Sequence, residues 1–320
     1  MTAPVAVTGA SGFVGQALIK ALLDTGRPVR ALVHRRPLTF AHPALEAVAG
    51  GLADETALAR LLGGAQAVIH VAGRVRGRDA ADFLPVNADA VVRVARLSVR
   101  EASVRRFILI SSLAARAPDL SPYAASKRAG EDRLNKVVRG GDLSCAVLRP
   151  PAVYGPEDRE LVPLLRLMAR GIVPLPAPPG ARASLLHVDD LAQAVLKLLD
   201  SPAQGIYELH DGHGDGYGWD EIARIVEEVV GRRRGWRLKL PEALLRGVAS
   251  VNLLGARFFG YLPMLTPGKI NELRHPDWVS DNTDFSRATG WHPVISLRDG
   301  LSPILAGVAP KPNKGVSNVT

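Results

Sequence analysis

Short apolar runs alternate with longer amphipathic stretches through the first half of the chain. Pro4–Thr8, Val29–Val33, Ala67–Val71, Arg106–Ser111 and Cys145–Leu148 are strand-length and largely apolar, and Leu45–Ala49 is a weaker run of the same kind. Between them, Gly12–Asp24, Glu55–Leu62, Ala80–Glu101 and Tyr123–Val138 carry apolar residues at helical spacing. Strands that are continuously apolar belong to a sheet covered on both faces. The pattern therefore predicts an α/β fold, a doubly wound parallel sheet of six strands.

Past Arg149 the rhythm changes. Prolines and glycines thicken, as in Pro174–Gly180, and helical spacing prevails. The pattern divides the chain into a first domain, 1–155, and a smaller, mainly helical lobe, 156–309, with 183–200 returning to the first. Residues 310–320 are polar and patternless and predict a disordered tail. The apolar run Val248–Leu265 reads either as the wall or lid of a greasy pocket or as an ordinary core helix.

Composition narrows the class. The apolar share is 47% and the charged share 22%, ordinary for a globular protein with one large core. Cys145 is the only cysteine, which excludes an internal disulfide and suits a reducing cytoplasm. Val5–Val7 lacks the basic flank of a secretory signal, so none is expected. Leu244–Leu265 comes nearest to a membrane span, but Arg246, Asn252 and Arg257 interrupt it, and no span is expected. Lys and Arg number 40 against 31 acids, a net +9. The Arg232–Arg233–Arg234 cluster lacks interleaved aromatics or a DNA-reading motif, so the charge is assigned to a solvated surface and a cofactor phosphate, not to nucleic acid.

The candidate chemistry sits in two motifs. Thr8-Gly9-Ala10-Ser11-Gly12-Phe13-Val14-Gly15 follows the first strand and opens the first helix. Glycines permit the tight turn and the close approach of a pyrophosphate, and the helix N-terminus offers N–H donors. Residues 1–155 thus read as a dinucleotide-binding Rossmann domain. An acid at the end of the second strand accepts the ribose 2′-hydroxyl, but this chain has His34-Arg35-Arg36 there. Two guanidiniums suit a 2′-phosphate, so NADP(H) is favoured, with NAD(H) the alternative. The second motif, Tyr123-Ala124-Ala125-Ser126-Lys127, sets a phenol and an ammonium one helical turn apart. His70 and His187 lack a third ligand at metal spacing, so no metal is expected. Asp189 and Asp190 read as helix cap and first-turn acid.

These residues resemble the extended short-chain dehydrogenase/reductase (NAD(P)-dependent epimerase/dehydratase) family over nearly the whole chain, Thr8 to about Leu301. The glycine loop, Val68-Ile69-His70-Val71-Ala72-Gly73, Asn87, Ile110-Ser111-Ser112, Tyr123/Lys127, Leu148–Pro156, His187–Ala192 and Gly290–Pro293 carry the resemblance. One departure is plain: Gly51 stands where the family often has an adenine-contacting Asp, with Asp54 three residues on.

The resemblance implies a cofactor site from Gly9, Ser11, Gly12, Phe13, Val14, Gly15, His34, Arg35, Arg36, Val71, Ala72, Gly73, Tyr123, Lys127, Pro150 and Val153. It implies Tyr123 as acid or base, Lys127 on the ribose hydroxyls and beside the phenolate, Ser112 on the substrate oxygen (Ser111 if the register slips), and Asn87 as structural or relay residue. A free phenol ionises near pH 10, so a base at pH 7 needs a shift of roughly three units, about 4 kcal/mol.

Arg149-Pro150-Pro151-Ala152-Val153-Tyr154 is similar to the dihydroflavonol-reductase and 3β-hydroxysteroid-dehydrogenase branch. That implies hydride transfer between NADP(H) and the carbonyl or secondary alcohol of a mainly apolar small molecule. The alternatives are a nucleotide-sugar epimerase or dehydratase with tightly held NAD, and a non-catalytic NADP-binding sensor or scaffold. The resemblance also implies a homodimer formed through Ala80–Glu101 and Tyr123–Val138.

Overall fold

The first half of the chain runs β1 (Val5–Thr8), α1 (Phe13–Asp24), β2 (Val29–Val33), β3 (Leu45–Ala49), α2 (Glu55–Leu62), β4 (Ala67–His70), α3 (Ala80–Leu84), α4 (Ala90–Arg100), β5 (Arg106–Ile110), α5 (Pro122–Val138) and β6 (Ser144–Arg149). The second half runs β7 (Ala152–Tyr154), α6 (Val162–Ala169), β8 (Ile172–Leu175), β9 (Arg182–Ala183), β10 (Leu185–His187), α7 (Val188–Leu199), β11 (Gly205–Glu208), β12 (Tyr217–Gly218), α8 (Trp219–Val229), β13 (Trp236–Lys239), α9 (Glu242–Phe259), α10 (Pro267–Arg274), β14 (Asp277–Trp278), α11 (Thr283–Thr289) and α12 (Leu297–Leu305). This computed structural model describes residues 2–232 and 234–308. Arg233 of the basic cluster and the expected tail, 310–320, lie outside the described residues.

Seven strands form one parallel sheet in the order β11-β6-β5-β4-β1-β2-β3. β1, β4 and β5 sit at its centre and are buried along their whole length, which is why their sequences are apolar without alternation. On one face Leu18, Ile19 and Leu22 of α1 pack with Leu191, Val195 and Leu198 of α7. On the other, Leu58 and Leu61 of α2 pack with Val91 and Val94 of α4 and Leu134 of α5. A third core joins Leu165 and Met168 of α6, Ile222 and Val226 of α8, and Leu301 of α12 around the fully buried Tyr154.

Three features depart from the sequence reading. The seventh strand, β11, is absent from the expected six because it is half-exposed at the sheet edge and its apolar signal is weak. Buried Arg106 of β5 seats it, donating to the carbonyls of Leu198 (3.0 Å) and Ala203. The single helix expected over Ala80–Glu101 is broken into α3, a π-turn over Pro85–Asp89, and α4. Pro85 has no N–H to continue the α-ladder, and the widened turn absorbs the defect. The region after Arg149, expected to be mainly helical, also carries three short sheets, β10-β7, β12-β9-β14 and β13-β8. Among the described residues no helix is long and apolar enough to cross a membrane.

Candidate active site

The glycine loop is closed by backbone packing. Gly9 has φ +72°, and a Cβ there would lie 2.5 Å from the Ala72 nitrogen. A Cβ on Gly15 would lie 2.2 Å from the Gly9 carbonyl oxygen. A side chain at Gly9 pushes the loop off the segment that follows β4, and one at Gly15 pushes α1 off the loop. The N-terminus of α1 follows, capped by Gly12 with no side-chain cap and no acid in its first turn. Its free N–H groups and positive dipole end suit an anionic group. Val14 packs into the core, and Phe13 lies against Gly155.

Ser11 Oγ donates to the Arg36 carbonyl oxygen at 2.6 Å, tying the loop to the segment after β2. His34, Arg35 and Arg36 are all exposed there, and no acidic residue stands between His34 and Ala44. Asp54 caps α2, accepting from the Ala57 N–H at 3.0 Å. Its carboxylate is thus committed to the helix, and the His34 ring lies beside Gly51 instead. The compact glycine cradle, the uncapped helix and the two guanidiniums fit a dinucleotide.

Tyr123 and Lys127 both arise from the first turns of α5, which Ser121 caps by accepting from the Ala124 N–H at 3.0 Å. Lys127 is buried, and its Nζ donates to the Ile110 carbonyl oxygen at 2.9 Å beside Gly73. Burial lowers its pKa to about 8, opposed by Glu131 one turn on. It therefore stays an ammonium at neutral pH. Ser112 follows β5 and caps a short 3₁₀ turn, accepting from the Ala114 N–H at 3.2 Å, and it is the serine whose hydroxyl acts on the Tyr123 phenol. Ser111 is buried and bonded to Glu131, so it is not the serine that meets Tyr123.

The Tyr123 pKa is raised, not lowered. Burial is the main cause; the Ser112 hydrogen bond opposes it, the Glu272 carboxylate adds to it and Lys269 offsets it. The cation facing the ring is Lys269, with Nζ 6.0 Å from the ring centroid, and Lys127 is turned toward the β5 end. Lys269 pairs with Glu272 at 2.8 Å, and buried Glu272 accepts from Ser121. Sequence reading missed both residues: α10 begins 144 positions after Tyr123 in the chain (267 against 123) and carries no motif. It also missed Glu131, although Tyr123, Lys127 and Glu131 recur every four residues along one face of α5. Glu131 forms a buried pair with Arg149 of β6 (Nε–Oε1 3.0 Å).

Asn87 sits in the π-turn, buried. Its Nδ2 donates to the Arg74 carbonyl oxygen (3.0 Å) and Ser126 Oγ (2.8 Å), and its Oδ1 accepts from the Arg74 N–H (2.8 Å). The amide thus clamps the loop after β4 onto α5. Gly130 lets the helices approach this closely, since a Cβ there would strike the Asn87 carbonyl oxygen at 2.2 Å. His70 is fully buried, with Nδ1 2.9 Å from Thr8 Oγ1, and burial pushes its pKa down to about 3. His187 rather than Asp189 caps α7, accepting from the Asp189 N–H at 3.3 Å. Asp190 turns inward to accept from the Ile295 N–H at 2.9 Å. Pro150 is buried and receives the Leu113 N–H at 2.9 Å, and Val153 packs against the core beneath α7.

A cleft opens beside the phenol. Its walls include Val75, Phe83, Pro263 and Met264 on the apolar side and Lys269 and Glu272 on the polar side. Phe83 meets the Tyr123 ring edge-on at 5.9 Å.

A parallel sheet of this order, a glycine cradle and a Ser–Tyr–Lys constellation fit a dinucleotide-dependent oxidoreductase or epimerase. The chain belongs to the NAD-dependent epimerase/dehydratase family, which it matches over residues 5–209. It is an NAD(P)-dependent enzyme of the extended short-chain dehydrogenase/reductase type. It is 39% identical to the ceramide reductase of Caulobacter vibrioides over 303 residues, covering 93% of this chain and 92% of that protein. It is 27% identical to the UDP-glucose 4-epimerase of Vibrio cholerae, covering 94% of each. Among solved structures it resembles MoeE5 in complex with UDP-glucose and NAD, at TM-score 0.72 and 25% identity, covering 95% of this chain and 97% of that one.

Proposed function

We propose that this enzyme reduces the ketone of a mainly apolar, lipid-like small molecule with NADPH. The observation that carries the reading is the cleft beside Tyr123, whose walls include Val75, Phe83, Pro263 and Met264. A phenol held neutral by burial is a proton donor, which is what carbonyl reduction needs. The Caulobacter ceramide reductase, whose name specifies a lipid substrate, supports the same class.

In this reading the substrate carbonyl enters between Ser112 and Tyr123. The Ser112 hydroxyl donates a hydrogen bond to the carbonyl oxygen and orients it. Bound NADPH supplies the hydride to the carbonyl carbon. Tyr123 delivers its phenolic proton to the oxygen, completing the alcohol. Lys127, an ammonium below about pH 8, holds the ribose side and is itself fixed by the Ile110 carbonyl. Asn87 is a positioning residue that keeps the 71–74 loop against α5. Arg35 and Arg36 take the 2′-phosphate, which favours NADPH over NADH. Residues 1–155 with α7 and β11 form the nucleotide side, and the later elements form the substrate side.

The test is reduction of long-chain 3-keto amides and of water-soluble ketones, with NADPH and NADH compared, after the nucleotide retained by dialysed protein has been identified by mass spectrometry. Turnover with NADPH and an empty site after dialysis support the reading. NAD that survives dialysis, together with interconversion of a UDP-sugar, replaces it with an epimerase.

A further inference from the structure

Of the apolar run read as pocket wall or core helix, only the end reaches the cleft. Leu244, Val248, Val251 and Phe258 of α9 are exposed and Leu245 and Ala249 pack with Ile270, whereas Pro263 and Met264 line the space beside Tyr123. The polar wall comes from α10, which contacts at both ends hold in place. Thr266 caps the helix, accepting from the Lys269 N–H at 3.2 Å, and Pro267 opens its first turn. Gly268 lies against the entry to α5, where a Cβ would come within 3.0 Å of the Ser121 Cβ. Asn271 Nδ2 donates to the Leu120 carbonyl oxygen at 3.0 Å, and Trp278 Nε1 to the Glu272 carbonyl oxygen at 2.8 Å.

Lys269 and Glu272 share one face of this helix but not one environment. Both Glu272 oxygens are taken, Oε1 by the Ser121 hydroxyl and Oε2 by Lys269 Nζ at 2.8 Å, and the side chain is 8% exposed. The Lys269 side chain is 39% exposed at the cleft, and among the described residues Glu272 is the one acceptor its ammonium meets. Two of its three N–H groups are thus available to a ligand. Its Nζ is 6.0 Å from the Tyr123 ring centroid, so an acceptor bound here sits close to the group that takes the phenolic proton. Charge sets the kind of acceptor. Lys269 lies within electrostatic reach of two carboxylates, Glu272 and Glu160. Arg78, which also lines the cleft, is committed to Asp82 at 2.9 and 3.0 Å, and Arg76 to Glu160 at 2.9 Å. An entering carboxylate finds these cations already paired and is repelled by Glu272. An amide or ester carbonyl accepts from the ammonium without that repulsion.

We propose that Lys269 determines specificity: its Nζ donates to a second, uncharged oxygen acceptor that the substrate carries close to the ketone, and Glu272 turns a carboxylate away from the same place. The substrate class narrows from an apolar ketone to one with a neighbouring amide or ester carbonyl, its apolar chain lying along Val75, Phe83, Pro263 and Met264. This rests on the reduction reading for the role of the ketone and on the placement of α10 for the second contact.

The experiment is calorimetric titration of the full chain, with and without NADP⁺, using N-methyl-3-oxooctanamide, decan-5-one (the same skeleton without the second carbonyl) and 3-oxooctanoate, followed by turnover of each with NADPH. Lys269→Met is expected to lower the affinity ratio of the amide to decan-5-one by about tenfold or more, with nucleotide affinity unchanged. Glu272→Gln, which keeps the ammonium, is expected to raise 3-oxooctanoate affinity by about tenfold. A changed ionisation of Tyr123 affects the two ketones alike and cancels in their ratio. A ratio unchanged in Lys269→Met overturns the proposal, as does an acid affinity unchanged in Glu272→Gln. So does wild-type protein that binds the acid above the amide, or that binds none of the three. Binding is read apart from turnover. Probes that bind in these ratios but are never reduced remove the reductase reading and keep this assignment, and probes reduced in ratios that Lys269 does not set do the reverse.

Discussion

The proposed nucleotide side and the proposed substrate side of this enzyme are assembled in different ways. Around the glycine loop, contacts are made by backbone within β1, α1 and β4, and the residues that matter are contiguous or lie at the end of the next strand. Around Tyr123, the side chains that set the phenol's protonation come from the turn after β5 and from α10. The first side is a socket closed by backbone packing. The second is electrostatic, with a burial penalty balanced between one cation and one anion. Tolerance to substitution therefore differs in kind. A methyl group breaks the first side, whereas the second responds in graded shifts of pKa.

The largest expected effect is at the phenol. Tyr123→Phe should lower turnover by about 10³-fold or more while nucleotide affinity stays within about threefold, read by steady-state kinetics and a fluorescence titration. Full activity in that variant would remove Tyr123 from the chemistry. Next, Gly9→Ala or Gly15→Ala should weaken nucleotide binding by roughly a hundredfold, because the new Cβ meets backbone at 2.5 and 2.2 Å. Retained affinity would mean that the loop relaxes and is not a rigid socket.

A smaller effect is expected from Arg35→Ser/Arg36→Ser. Removing each guanidinium should cut the NADPH-over-NADH preference by about tenfold, with NADH affinity unchanged, as read by titration with the two nucleotides. An unaltered preference would leave both arginines as solvated surface.

The graded side is probed by a pair of opposite substitutions. Glu272 raises the Tyr123 pKa and Lys269 lowers it. Reduction uses the protonated phenol, so Glu272→Gln should move the alkaline limb of the pH–rate profile to lower pH and Lys269→Met to higher pH. Movement in the same direction for both would break the proposed balance.

The smallest effect concerns stability. The His70 pKa falls from 6.5 to about 3 on folding. Between those values the unfolded chain binds a proton that the folded chain refuses. Stability should therefore decline as pH falls from about 6.5 toward 3, and His70→Gln should flatten that slope in denaturant titrations.

Much of this was legible in the chain itself. Central strands buried on both faces must be continuously apolar, so β1, β4 and β5 announce themselves, and with them the parallel sheet. Gly9 and Gly15 are readable because only glycine permits the backbone approach they make. Tyr123 and Lys127 are readable because helical periodicity alone puts them on one face, and Glu131 continues that face. Edge strand β11 was not legible, since half-exposed residues leave little pattern and its place depends on Arg106 reaching two distant carbonyls.

The tertiary structure decided what local spacing cannot encode. It turned Lys127 toward Ile110 and set Lys269 and Glu272 against the phenol, because these contacts join segments far apart in sequence. It committed Ser111 to Glu131 and left Ser112 to meet Tyr123. It also left the apolar stripe of α9 facing outward, because periodicity marks a helix's apolar faces without specifying which one another element covers. Local chemistry determined the scaffold and the nucleotide grip. Long-range packing decided the electrostatics of the cleft and the surface that surrounds it, since burial and charge act through space and not along the chain.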